Sequence, residues 1–263
     1  MSEFRINLDE KFTHLQNAPI REALIDFRAR AGIPWNEETL RSMLQPKLSD
    51  YPTVMVQNSM IVGFMLNPHS TTAETKKEQS WKGLQFRSAD GIRVARFDRD
   101  GFTFSRLAPY QDWDDLQDEV LRLWEIHIQA ADPDKIVRIG VRFINRVDLP
   151  LTTVELKDYI PSFPQQPLGL EMLNQENFLH IDHFQVPNYN YSVSVTKTLE
   201  RGAQDAAGTF QSWGIILDVD VSTLQHLDVK DFGQIRTKLA EMRWLKNKVF
   251  FGSISDNCKK SYQ

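Results

Sequence analysis

Residues 81–107 read WKGLQFRSADGIRVARFDRDGFTFSRL, and this stretch decides the fold class. Three short runs (81–88, 91–97 and 101–107) alternate apolar with polar side chains, and Asp90-Gly91 and Asp100-Gly101 separate them. Asp-Gly between alternating runs is a strong hairpin signal, because both residues tolerate the positive φ of a tight antiparallel turn. The segment therefore predicts an antiparallel meander. Directly after it, Leu116, Val120, Leu123, Trp124, His127 and Ile128 recur at helical spacing over 112–131. Asp112, Asp114 and Asp115 occupy the first turn, where the helix dipole favours acids, and Asp132-Pro133 closes the helix. Antiparallel strands followed by an amphipathic helix indicate an α+β chain.

Working outward, 20–28 (IREALIDFR) reads as a strand, and Asn36 is placed to cap a helix that Pro46 ends near Gln45. Residues 53–66 predict a strand or strand pair. The polar stretch 67–80, with no apolar face, predicts a loop. Beyond the central helix, 136–148 (IVRIGVRFINRVD) predicts a strand. Thr152 and Glu155 have capping-box spacing for a short helix ending at Pro161. Strands are expected over 178–186, 190–199 and 211–221, with a loop over 200–208. A final helix beginning near Asp228 carries Val229, Phe232, Ile235, Leu239 and Met242 on one face, and a short polar tail with Cys258 follows it.

The two halves, 1–135 and 136–263, thus share an order of elements: β-α-β(3–4)-α, twice. That order predicts two pseudo-repeated halves forming a largely antiparallel sheet with helices on one face. The saddle of the TATA-box-binding protein has the same order and serves as a fold analogy only.

Composition narrows the function classes. The chain has 263 residues, 41% of them hydrophobic and 25% charged, enough apolar material for a core without disulfides or a structural metal. No run of 18 apolar residues suggests a membrane helix, and the charged opening MSEFRINLDEKF does not read as a secretion signal. The single Cys258 suits a reducing cytoplasm. A net charge of −4 does not advertise nucleic-acid binding.

The strand 137–147 nevertheless concentrates charge. Alternation puts Val137, Ile139, Val141, Phe143, Asn145 and Val147 on one face and Arg138, Gly140, Arg142, Ile144 and Arg146 on the other. Arg87, Arg93, Arg96, Arg99 and Arg106 lie in the meander, so that 81–146 holds nine Arg and two Lys. Arginine's planar fork grips carboxylate or phosphate in two places. The candidate partner- or anion-binding residues are therefore Arg138, Arg142, Arg146, Asn145, Arg87 and Arg93. The plainer expectation is a solvated face whose arginines pair with acids; eleven share this segment, mostly on the 112–134 helix and its ends.

Other candidates are weaker. In the HIDH run, His180 and Asp182 share a strand face that His183 does not, so the three cannot ligate one ion. His127 lies on an apolar stripe and reads as a core histidine. Asp218 and Asp220 share a face and, with Asp182 as a third ligand, would suit a metal-dependent hydrolase or nuclease. Zinc, P-loop, dinucleotide and nucleophile-elbow motifs do not occur. No cofactor, metal site or catalytic residue is assigned.

NAPIREALIDFR (17–28), YQDWDDLQDEVLRLW (110–124) leading into VRIGVRFINRVDLP (137–150), and FFGSI (250–254) together resemble an uncharacterised, sporadically distributed family of prokaryotic proteins of similar length. The specific part is R-x-G-V-R-F-I-N-R-V, matched here by Arg138, Gly140, Arg142, Asn145 and Arg146. The resemblance implies no established activity, and its scattered distribution implies a genome-defence or toxin–antitoxin setting. Three functions follow as expectations. The first is a non-enzymatic binding subunit with a protein partner, with a homo-oligomer also open. The second is a nucleic-acid binder using the arginine face, and the third is the aspartate hydrolase.

Overall fold

The computed structural model describes residues 4–66, 73–150, 155–162, 169, 177–202 and 212–263; for 61–66 and 73–79 it describes the backbone alone. Its strands are β1 (Ile20–Arg28), β2 (Thr53–Leu66), β3 (Ala73–Arg87), β4 (Arg93–Asp98), β5 (Gly101–Leu107), β6 (Lys135–Ile136), β7 (Arg138–Leu149), β8 (Leu179–Gln185), β9 (Tyr191–Arg201), β10 (Trp213–Thr223) and β11 (Leu227–Asp228). The helices are α1 (Glu37–Leu44), α2 (Trp113–Ala131), α3 (Phe232–Ser253) and α4 (Asp256–Lys260). Nine strands form one antiparallel sheet in the order β2-β3-β4-β5-β1-β7-β10-β9-β8, while β6 and β11 pair separately. The molecule is an α+β protein with its helices packed on this sheet.

Strand alternation builds the core. Ile25 faces Val141, Phe143 faces Val219 and Phe102 faces Phe27, so the central strands present one continuous apolar face. Helices α2 and α3 cover that face. Trp124 of α2 stacks on Phe27 with centroids 4.7 Å apart, and Ile235, Leu239, Met242 and Leu245 of α3 are buried. Removing such side chains from water is the main stabilising contribution, about 1.5–3 kcal/mol for each fully buried large residue.

The expected helix signals act through hydrogen bonds. Asn36 and Thr39 form a reciprocal capping box on α1, and a 3-10 turn containing Pro46 follows the helix. Asp112 caps α2 by accepting from Asp115 N at 2.8 Å, and Asp132 ends it in the left-handed region at φ 45°.

Several expectations are corrected. The polar stretch 67–80 is not a loop throughout: Ala73–Ser80 extend β3 and pair with β2, while 67–72 lie outside the described residues. Antiparallel pairing satisfies the backbone whether or not the strand has an apolar face, so a polar strand gives no hydrophobic period to detect. The 203–208 part of the expected 200–208 loop is outside the described residues, whereas Glu200 and Arg201 belong to β9. Thr152 is also outside them, and the described residues before Pro161 hold a 3-10 turn at Leu156–Asp158. The helix expected from Asp228 is α3, which starts at Phe232, capped by Asp231, because Leu227 and Asp228 are used in pairing with β6. The polar tail is not a tail: Ser255 caps α4, and Cys258 is fully buried against the core. No helix among the described residues is long and apolar enough to cross a membrane.

Candidate functional site

The sheet face opposite α2 and α3 carries the arginine row. Pairing sets Asp26 of β1 opposite Gly140 of β7, and on the other flank Asp220 of β10 opposite Arg142 and Asp218 opposite Ile144. Carboxylates thereby alternate with guanidiniums across three central strands. Arg138 Nη1 donates to Asp26 Oδ1 at 2.5 Å and Oδ2 at 2.7 Å, and its Nη2 reaches Asp220 Oδ2 at 3.5 Å. Arg142 holds Asp218 in a two-pronged grip, Nε to Oδ1 at 2.9 Å and Nη2 to Oδ2 at 2.5 Å. Arg146 is clamped by Asp148 and Glu200 and donates to Ser212 Oγ at 3.2 Å.

Two glycines make room for this layer. A Cβ on Gly140 would stand 2.0 Å from Asp26 Oδ2, inside the Arg138–Asp26 pair. One on Gly214 would meet three side-chain atoms of Arg146 at 3.0–3.1 Å. The glycine of the R-x-G-V-R run is thus a gap across which an ion pair lies.

The electrostatics follow from these contacts. The hydrogen bonds to Asp218 raise the pKa of Arg142 further. Burial raises that of Asp220 despite the opposing pull of Arg138, and Asp220 Oδ1 has no hydrogen-bond partner among the described residues. Every arginine of the row is matched by carboxylate, so the face is polar but nearly neutral.

Toward one edge the face changes character. β9 contributes half-buried Ser192, Ser194, Thr196 and Thr198. β8, the last strand of the sheet, exposes Leu179 (68%) and Ile181 (49%) on the open face and Phe184 (53%) on the helix side. Large apolar side chains this exposed on an edge strand mark a surface suited to association.

The other candidates do not join the row. Asn145 is 2% exposed on the helix side, where its Nδ2 donates to the carbonyls of Phe143 and Leu217. Arg87 is on the open face but on β3, four strands away from β7, roughly 19 Å by strand spacing. Arg93 points to the helix side, lying over Tyr51 and 3.6 Å from Asp50. A meander alternates its arginines between two faces, so those of 81–107 form no single patch.

The aspartate site is corrected as well. Asp182 sits opposite Val195 on the helix side of β8, within 2.9 Å of His180 Nε2 and 3.7 Å of Lys197 Nζ, whereas Asp218 and Asp220 occupy the open face. The sheet itself separates them. Among the described residues no three His, Cys, Asp or Glu side chains are grouped to hold a metal ion.

The acids that matter were hidden from composition. They come from β1, β7, β9 and β10, not from the acidic helix 112–134. The available signal was Asp26 in the polar phase of IREALIDFR, but which strand lies beside β7 is not written in either segment. No protein-family model and no curated protein matches the chain.

Proposed function

We propose that the protein is a non-enzymatic binding subunit that docks a partner protein at the β8 margin of its open sheet face. The observation that carries this reading is the division of that face. The arginines of the β7 row are already occupied by carboxylates, while at the β8 margin the face exposes Leu179 and Ile181 on an edge strand. A partner strand laid along β8 would gain main-chain hydrogen bonds, with apolar contacts to fix its register. A phosphate backbone would instead have to displace Asp26, Asp218 and Glu200 before reaching the guanidiniums, which weighs against the nucleic-acid reading. The resemblance to the sporadic prokaryotic family supports membership of that family and a defence or toxin–antitoxin setting for the partnership. The buried, lone Cys258 fits the cytoplasm.

The same proposal extends to the architecture. Counting outward from the central β1–β7 pair, one side runs β5, β4, β3, β2 and the other β10, β9, β8. Among the strands of this sheet, in each direction the first strand of a half is followed by its last, then by its middle strands. This supports two related halves, 1–135 and 136–263, joined through their first strands in a saddle-like sheet.

The test is affinity purification of the tagged full chain from its native host, beside a Leu179→Lys, Ile181→Lys variant, with and without nuclease. The expected result is one protein co-eluting in stoichiometric amount, unaffected by nuclease and lost with the variant. Co-elution abolished by nuclease, or unchanged by the two lysines, overturns the reading.

A further inference from the structure

The helix side holds a feature independent of the open face: a cavity of about 420 Å³ between the N-terminal segment, the start of α2 and α3. Its floor is aromatic: Tyr110 and Trp113 line it and pack on the buried Phe143, Tyr110 edge-on (centroids 5.5 Å) and Trp113 stacked (6.4 Å). The half-buried Lys246 of α3 places its Nζ 3.9 Å from the centre of the Phe143 ring. No carboxylate among the described residues pairs with it.

The charged and titratable groups around the cavity explain why. Glu10, from the N-terminal segment, is taken by Trp244 Nε1 at 2.9 Å and Lys248 Nζ at 2.7 Å. Asp112 is committed to capping α2. The remaining groups, Lys11 and His14 of the N-terminal segment, Tyr110 before α2 and Arg243 of α3, bring no negative charge at neutral pH. Asn145 also lines the cavity, and both of its hydrogen bonds use Nδ2, leaving Oδ1 as a further polar handle. An amine held against an aromatic floor without a counterion is a costly arrangement unless something compensates it. Aromatic walls with a few converging polar groups, at this volume, are the usual make-up of a small-molecule site.

We propose that this cavity binds a small organic carboxylate with a flat apolar body, its carboxylate paired with Lys246 and its body lying against the aromatic floor. The ligand supplies the counterion that the chain withholds. Burial and the neighbouring Arg243 bring the Lys246 pKa down to about 7. Binding an anion favours the ammonium form, so at pH 8 the complex takes up a proton as it forms.

The test uses 2-naphthoate with the full chain, followed by titration calorimetry at pH 8 in two buffers of different ionisation heat. The expected result is saturable binding with uptake close to one proton per molecule bound. Affinity should be at least tenfold weaker for the neutral 2-naphthamide, and at least tenfold weaker for 2-naphthoate in Lys246→Met. The naphthamide and proton-uptake measurements use the native chain and stand whether or not the variant folds. Absence of binding, equal affinity for acid and amide, no proton uptake, or full affinity in a folded Lys246→Met protein each overturns the proposal.

Discussion

His127 shows how one residue ties stability to pH. It is fully buried among Trp35, Phe97, Phe102 and Trp124, and neither ring nitrogen has a hydrogen-bond partner among the described residues. Burial alone pulls its pKa down to about 3. The unfolded chain takes up this proton near pH 6.5, and the folded chain only near 3. Between those values the unfolded state binds more protons, so stability falls as the pH drops below about 6.5. The slope reaches about 1.4 kcal/mol per pH unit. His127→Leu keeps an apolar side chain of similar size and abolishes this term. In urea unfolding at pH 5 and 7.5, the wild type is expected to lose about 2 kcal/mol more than the variant over that interval. Equal losses would show that the folded protein accommodates the charged ring. The role of this residue was legible because its neighbours at helical spacing are all apolar; its missing partners were not, since they depend on which strands lie beneath α2.

At the scale of the element, β7 is the strand whose sequence says most, and Gly140 tests how much. Its alternation correctly separates buried Ile139, Val141, Phe143 and Val147 from the arginine row. What the alternation cannot supply is the neighbours, and they decide the chemistry. Asp26 on β1, Asp218 on β10 and Glu200 on β9 turn three candidate anion-binding arginines into a matched layer. The same limit governs β3, whose polar 73–80 stretch lacks any period, while α2 was readable to within a residue because cap, stripe and Pro133 agree. Gly140→Ala places a methyl group 2.0 Å from Asp26 Oδ2, so the Asp26–Arg138 pair must shift. The expected cost is about 1–3 kcal/mol in chemical denaturation, in the range of a partly lost charged hydrogen bond. In an Asp26→Ala background the carboxylate is gone and the flexible end of Arg138, whose Nη1 would stand 2.6 Å from the methyl, is released to swing aside, so Gly140→Ala is expected to be close to neutral. The double-mutant cycle therefore returns a coupling above about 0.5 kcal/mol. Additive costs would place the effect of the methyl in the β7 backbone and not in the ion pair.

At the scale of the whole molecule, net charge and charge placement carry different information. The total of −4 left a segregated basic face possible, and the strand pattern located one. Folding then brings acids from sequence positions as distant as 26 and 218 onto the same face, so the basic row is masked where it is densest. A masked face predicts a weak response to polyanions. In fluorescence anisotropy at 150 mM salt, a labelled duplex of mixed sequence is expected to show no saturable binding to the wild-type protein. Asp26→Asn, Asp218→Asn and Glu200→Gln together remove three negative charges while keeping side-chain size, and so shift the row toward positive charge without emptying its surroundings, although Asp148 and Asp220 stay beside Arg146 and Arg138. This triple variant is expected to bind the duplex in low salt and to lose that binding steeply as salt rises, because each phosphate contact releases counterions. Wild-type binding with the same steep salt slope would mean that phosphate competes successfully with the carboxylates. The open face would then be a nucleic-acid surface, and the β8 margin would no longer be needed to explain it.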